Sequence, residues 1–267
     1  MRIRRAVVLV ALTAAAGGSL TGCGNGADTA SPSASSPAPA SPTPSPTADP
    51  TAELAASVRA LTTTTYQVTT KTTGDDAATG TATVEPVAKN ASVAQAGVVE
   101  GNPIKIELLL IGNDRYARFT GIPGVNGDTW AHMDATKVAS IPDLGVDKLT
   151  DPAGAGQFAK AIVTAEKSGP GQYSGTFDLT RAVDMVDQSS ADVAAIGAPA
   201  KSLPFKATLD EQGRLGTLAF TVPAHGQSKA ADYVTTFSGY GSPANLAKPP
   251  ANTIKEAPAA MYQLFQG

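Results

Sequence analysis

Between residues 31 and 46 the chain reads Ser-Pro-Ser-Ala-Ser-Ser-Pro-Ala-Pro-Ala-Ser-Pro-Thr-Pro-Ser-Pro, and no charged residue lies between Asp28 and Asp49. Proline fixes φ and removes a backbone donor, and the Ser, Thr and Ala between the prolines offer almost nothing to bury. Such a stretch favours an extended, polyproline-like spacer. An O-glycosylated stalk or a proline motif for a partner are the other readings of the same composition. Whichever holds, a core has to be built from residues 51–267, enough for one domain.

The residues before the spacer have a different character. Arg2, Arg4 and Arg5 precede a nearly pure apolar run at 6–16, and small residues lead to Cys23. This is the order of zones in a secretory leader, here residues 1–22. The run is broken by Gly17, Gly18 and Ser19 and falls short of the roughly 20 apolar residues of a spanning helix. Cys23 is the only cysteine, so no disulfide can form and the domain depends on its core. Leu20-Thr21-Gly22-Cys23 resembles the bacterial lipobox. That resemblance implies diacylation of the Cys23 sulfur, cleavage after Gly22, and a lipid-held amino terminus on the extracytoplasmic side of the cell membrane. Residues 23–50 then form the lipidated end and its tether. Losing the three leader arginines leaves 17 basic against 23 acidic residues, a net of −6. Such a balance argues against nucleic acid as a partner.

Asp49-Pro50 is a helix start, with an acceptor at the cap and proline at the first helical position. Leu54, Val58 and Leu61 form one stripe on a helix of about three turns. From Thr62 to Phe119 the chain reads as consecutive strands: Tyr66 onward, Thr79 to Val84, Ser92 to Glu100, Ile104 to Ile111, and Arg115 to Phe119, an antiparallel meander. These strands are rich in Thr, Ala and Val and poor in aromatics, which favours a wide, curved sheet. Trp130 lies on a short strand after a turn. Helical spacing returns at 156–167 (Phe158, Ile162, Ala165) and at 180–196, with one strand, Gln172 to Leu179, between them. Phe205 to Val222 reads as a hairpin turning at Gly213, and Tyr233 to Phe237 as a last strand before a proline-rich exit. Strands, helices and strands again make an α+β domain.

Chemistry-bearing motifs are weak. Gly154-Ala155-Gly156 has the spacing of a dinucleotide-binding turn, but Leu149-Thr150-Asp151-Pro152 before it is no buried strand, so a loop entering a helix is the better reading and no cofactor is expected. His132 and His225 stand far apart without a second ligand motif, and both read as surface side chains rather than metal ligands. Gly226-Gln227-Ser228-Lys229-Ala230 lacks the last glycine of a nucleophile elbow. Asp75 with Asp76, and Asp184 with Asp187, read as solvated acids. No catalytic residue is assigned, and the chain is not expected to be an enzyme.

Lys71-Thr72-Thr73-Gly74, Gly127-Asp128-Thr129-Trp130, Leu209-Asp210-Glu211-Gln212-Gly213-Arg214-Leu215 and Phe237-Ser238-Gly239-Tyr240-Gly241-Ser242-Pro243 resemble the LppX/LprG-type lipoproteins of actinobacteria, whose fold is that of the carriers LolA and LolB. The resemblance runs from about residue 50 to 265. It implies a curved antiparallel β half-barrel with helices covering the concave face, and a space there for the acyl chains of a lipid or glycolipid taken from the membrane or a transporter and presented onward. A sensor or protein-interaction module on the same half-barrel is the alternative, and a wall-associated structural domain with a filled core is a third.

The binding face follows from register. Asn113-Asp114 suits a two-residue turn, which would set Gly112 opposite Arg115, Leu110 opposite Ala117 and Leu108 opposite Phe119. One face then carries Ile104, Ile106, Leu108, Leu110, Ala117 and Phe119, and the other Lys105, Glu107, Leu109, Tyr116 and Arg118. Only the first is apolar throughout, so Ile104, Ile106, Leu108, Leu110 and Phe119 are the candidate ligand-binding residues; a closely packed core is the competing reading.

Overall fold

A computed structural model of the chain describes residues 49–99, 101–122, 127–138, 145–186 and 188–263. The leader, Cys23 and the proline-rich stretch lie outside the described residues.

The first helix starts as its sequence predicts. Asp49 accepts the Thr51 N–H (3.0 Å) at the head of α1 (Pro50–Ser57). It is shorter than the apolar stripe suggests: the chain turns at Val58 and Arg59 and resumes as α2 (Ala60–Thr63). The Ser57 hydroxyl donates to the Leu54 carbonyl at 2.7 Å, a back-bond that bends helices. Leu54 and Leu61 are nonetheless both buried in the core.

The strands are β1 (Tyr66–Thr72), β2 (Ala78–Glu85), β3 (Asn90–Val99), β4 (Asn102–Ile111), β5 (Asp114–Thr120), β6 (Trp130–Met133), β7 (Ile162–Gly169), β8 (Gln172–Phe177), β9 (Leu203–Leu209), β10 (Leu215–Val222), β11 (Ala231–Ser238) and β12 (Ile254–Glu256). They form one curved, open sheet in the order β12-β6-β5-β4-β3-β2-β1-β11-β10-β9-β8-β7, antiparallel except where β12 joins β6. The expected α+β class and the meander through β5 are therefore present, and the arrangement fits a half-barrel.

Three expectations need correcting. The helix at 156–167 ends early: α5 (Ala155–Ala161) gives way to β7 at Ile162, where Ile162-Val163-Thr164 is a β-branched run and β8 supplies a partner. Residues 180–196 form short pieces, two single-turn 3₁₀ segments and α6 (Ser190–Ala195), the latter begun by a reciprocal Ser189–Asp192 capping box. The β4–β5 turn is Gly112-Asn113, so Ile111 faces Asp114, Leu110 faces Arg115, Leu108 faces Ala117 and Ile106 faces Phe119. Gly112 takes φ +60° and its N–H donates to Asn90 Oδ1 (3.0 Å), a conformation glycine adopts at least cost. The slip is two residues, so every side chain keeps its predicted face.

The inner face carries the core. Helices α1 and α2, α4 (Val146–Thr150), α5 and α6 bury Leu54, Leu61, Leu149, Phe158 and Val193 in one cluster with the inward residues of β1–β4 and β8–β11. The aromatics concentrate there: Phe158 meets Phe205 edge-on at 5.0 Å and Phe177 at 5.6 Å, and Phe220 stacks on Tyr233 at 5.1 Å. A second cluster joins β5 and β6 to α3 (Ala135–Val138) and α7 (Ala259–Gln263). At the far end α1 rests against β7. There the Tyr173 hydroxyl donates to Glu53, and the Lys167 ammonium lies 3.3 Å from Glu53 Oε2.

Phe158 is fully buried and touches two further rings. Phe158→Ala is expected to cost about 3–5 kcal/mol in denaturant unfolding, while replacing exposed Val98 by Ser stays within about 0.5 kcal/mol.

Candidate ligand-binding face

Because opposed residues share a face, the ladders define rows that cross the sheet. One row runs Tyr66, Val84, Ala91, Leu110, Arg115; the next Phe237, Val68, Ala82, Val93, Leu108, Ala117; the third Thr235, Thr70, Gly80, Gln95, Ile106, Phe119; the fourth Tyr233, Thr72, Ala78, Gly97, Ile104. On β2, β3 and β4 no described inward position carries a charge. The charges of these three strands sit on the outer face, where Glu107 pairs with Arg118 of β5 (2.7 Å) and Lys105 (2.8 Å), and Arg118 lies over the Trp130 ring. The Arg118 hydrogen bond holds the Glu107 carboxyl below its ordinary range.

On β2 to β4 cover decreases from row to row, while the ends of the third and fourth rows, Thr235, Phe119 and Tyr233, stay buried. In the first, Tyr66, Val84, Ala91 and Leu110 are all buried, and α4 rests on β3 there. By the third and fourth, Thr70, Gly80, Gly97, Ile104 and Ile106 are half-buried and Gln95 is exposed. The candidate residues are thus brought to one face but differ in role. Leu110 (0 % exposed) and Phe119 (2 %) are core, Leu108 touches both clusters, and Ile104 and Ile106 border a half-open patch. The patch spans β1 to β4, three inter-strand spacings or about 14 Å.

Reading the sequence for bulky apolar side chains missed the floor of this patch. Ala78, Gly80 and Ala82, and Gly97 on the next strand, are small residues at period two, and that alternation was the available signal. Neither glycine is required by crowding: a Cβ on Gly80 would meet nothing closer than 3.9 Å and one on Gly97 nothing closer than 3.6 Å. Their effect is to leave space above the sheet. Two hydroxyls of the third row pair with each other, Thr70 Oγ1 and Thr235 Oγ1 lying 3.2 Å apart.

Two concavities lie elsewhere, one of them at the end of the fourth row that holds Thr72 and Tyr233. A shallow depression of about 600 Å³ runs past Pro199, Pro204 and Pro223 near the start of β9. A polar one of about 10 Å³ lies by Thr72, Asp75, Gln188 and Tyr233, room for about one water-sized group.

The glycine-rich turn at 154–156 is already occupied. Asp151 accepts the Ala155 and Gly156 N–H groups at 2.9 Å each, and burial pushes its carboxyl pKa up. Both histidines are half-buried rather than surface groups, and His132 lies between two carboxylates, 3.0 Å from Glu256 and 3.2 Å from Asp114. Among the described residues no three His, Cys, Asp or Glu side chains are grouped to hold a metal ion, and no helix is long and apolar enough to cross a membrane.

The gradient of cover has a measurable consequence. Leu110→Ala is expected to cost about 2–5 kcal/mol, whereas Ile104→Ser at the half-open end costs less than about 1.5 kcal/mol; chemical unfolding of the two variants checks the order. Compared with known proteins, the chain matches no protein-family model and no curated protein sequence.

Proposed function

We propose that this chain is a non-enzymatic, membrane-tethered lipoprotein, anchored through Cys23 outside the cell membrane, that binds the acyl part of a lipid or glycolipid on its concave face and carries or presents it. The observation that carries the reading is the uncharged inner surface of β2–β4, covered by helices at one end and only half-covered around Gly80, Gly97, Ile104 and Ile106. A filled structural core has no reason to place glycines where a Cβ would fit freely. Supporting it from the sequence are the leader with its lipobox and the resemblance to the LppX/LprG-type lipoproteins and the LolA/LolB fold.

The energetics suit a carrier. Each buried methylene is worth about 0.8 kcal/mol whether it leaves water for a bilayer or for an apolar face, so exchange between the two is close to neutral and needs no chemical step. A membrane or a transporter can then supply the lipid, and an acceptor can take it.

Gly80→Leu and Gly97→Leu test the face. At both positions a Cβ meets nothing closer than 3.6 Å and the rest of the leucine points over the half-covered face, and replacing a strand glycine tends to stabilise by up to about 1 kcal/mol. The expected outcome is an equally stable or stabler protein from which mass spectrometry recovers several-fold less lipid. Unchanged lipid content, or wild-type protein with none after isolation from its membrane, overturns the reading. The anchor is tested separately: Cys23→Ala should move the chain out of the membrane fraction or leave it as uncleaved precursor, and fully processed Cys23→Ala protein still pelleting with membranes would rule the anchor out.

A further inference from the structure

After β11 the chain leaves through Gly239 and Gly241, the latter donating its N–H to the Thr65 carbonyl at 2.8 Å. Further on, the Lys248 ammonium pairs with Asp114 Oδ2 beside the β4–β5 turn. The segment then lays β12 along β6 in parallel, Ile254 beside Trp130, Lys255 beside Ala131 and Glu256 beside His132, and Ala257 donates its N–H to the His132 carbonyl at 2.9 Å. It ends in α7, which brings Met261 and Tyr262 against Phe119, Ala131 and Met133 in the cluster that Ile106 and Leu108 also touch. The Asp134 N–H donates to the Tyr262 hydroxyl at 2.8 Å.

His132 sits where this segment joins the sheet. Its Nδ1 is 3.0 Å from Glu256 Oε1 on β12 and its Nε2 is 3.2 Å from Asp114 Oδ1 on β5. A neutral imidazole has one N–H and cannot donate to both carboxylates; the imidazolium can. The groups facing it from the packed elements are Asp114 and the Tyr116 ring (5.1 Å) from β5 and Glu256 from β12, with Lys248 of the tail on the other oxygen of Asp114.

We propose that β12 and α7 form a flap over the β5–β6 end of the apolar face, latched by protonated His132 between Asp114 and Glu256, which loosens when His132 loses its proton. As regulation of the lipid-binding face this rests on the function proposed above; as a mechanical latch it does not. β12 meets the sheet through only three residue pairs at an edge and the Glu256 side chain of the latch is 77 % exposed, whereas α7 is held by buried Met261 and Tyr262, so loosening starts at β12. The sign follows from the neighbours. Hydrogen bonding to Glu256 and then to Asp114 raises the His132 pKa above its ordinary value. The latch is therefore complete below the ordinary histidine pKa and is lost as pH rises through the raised one, until at the acid end the carboxylates themselves protonate.

The test uses the entire chain carrying Cys23→Ala, so that no attached acyl chain competes for the apolar face. Hydrogen–deuterium exchange, corrected for intrinsic rates, is followed in residues 250–263 at about pH 5.5 and 8.5, with β9 and β10 as reference. Protection of 250–263 should fall about tenfold across this range while the reference is unchanged. In His132→Gln the dependence should vanish, at the weakly protected level; if that variant does not fold, Glu256→Gln carries the test and should shrink the step. A pH-independent wild type, or a step that survives these substitutions, overturns the latch. Binding of uncharged N-phenyl-1-naphthylamine separates the two ideas: binding that rises with the loss of protection supports gating, and equal binding in both states overturns it. An exchange step with no probe binding at either pH keeps the latch and removes the lipid reading.

Discussion

One ladder decides whether this domain is one sheet or two. Strands β2 to β6 form a local meander, and β7 to β11 another, and β1 alone joins them by pairing with β2 on one side and β11 on the other. Val68 opposite Phe237 and the tilted packing of Tyr66 on Phe237 and Tyr240 fill that seam, while Tyr66 also donates its hydroxyl to the Thr150 carbonyl at 2.7 Å. Burial pushes the Tyr66 phenol far up and leaves it a donor at any ordinary pH. Roughly 170 residues separate the two strands of this ladder, so its closure brings a loop-entropy cost that only the shared inner core can offset.

The uncharged inner surface follows from that continuity. Once β1 sets which residues face inward, period-two alternation propagates the same choice from ladder to ladder as far as β4, and threonine, lysine and glutamate at the intervening positions take the other side; on β5 the first charge, Arg115, falls on the inward row opposite Leu110. Helices then cover the aromatic end, where Phe158, Phe177, Phe205 and Phe220 supply large surfaces, and leave the glycine- and alanine-rich middle thinly covered. The difference in cover reflects side-chain size: small residues give a helix little to pack on.

This division explains what could be read from the residues and what could not. The strands of the first meander and the 205–222 hairpin are legible because alternation and turn chemistry agree there. The face of Ile104, Ile106, Leu108, Leu110 and Phe119 was legible even through a wrong turn, because a two-residue slip preserves side-chain direction. Ile162–Gly169 was not, since Phe158, Ile162 and Ala165 have helical spacing and only the distant partner β8 makes the segment a strand. Three residues of β12 carry no pattern of their own, and their parallel pairing depends on a long excursion through prolines. Which of the apolar positions are core and which border an opening depends on where helices stop, which no local pattern records.

The attachment of α1 to β7 sets how the domain bears load. From Asp49 the chain runs into α1, which is stitched to the last two strands of the sheet by Glu53, paired with Lys167 on β7 and Tyr173 on β8. Tension arriving along the backbone from residue 49 therefore meets a short helix and one exposed ion pair before it reaches β1. The ion pair can give way alone, but α1 cannot follow until Leu54 is drawn out of the main core, so that one buried side chain stands between the tether and the seam of β1 with β11.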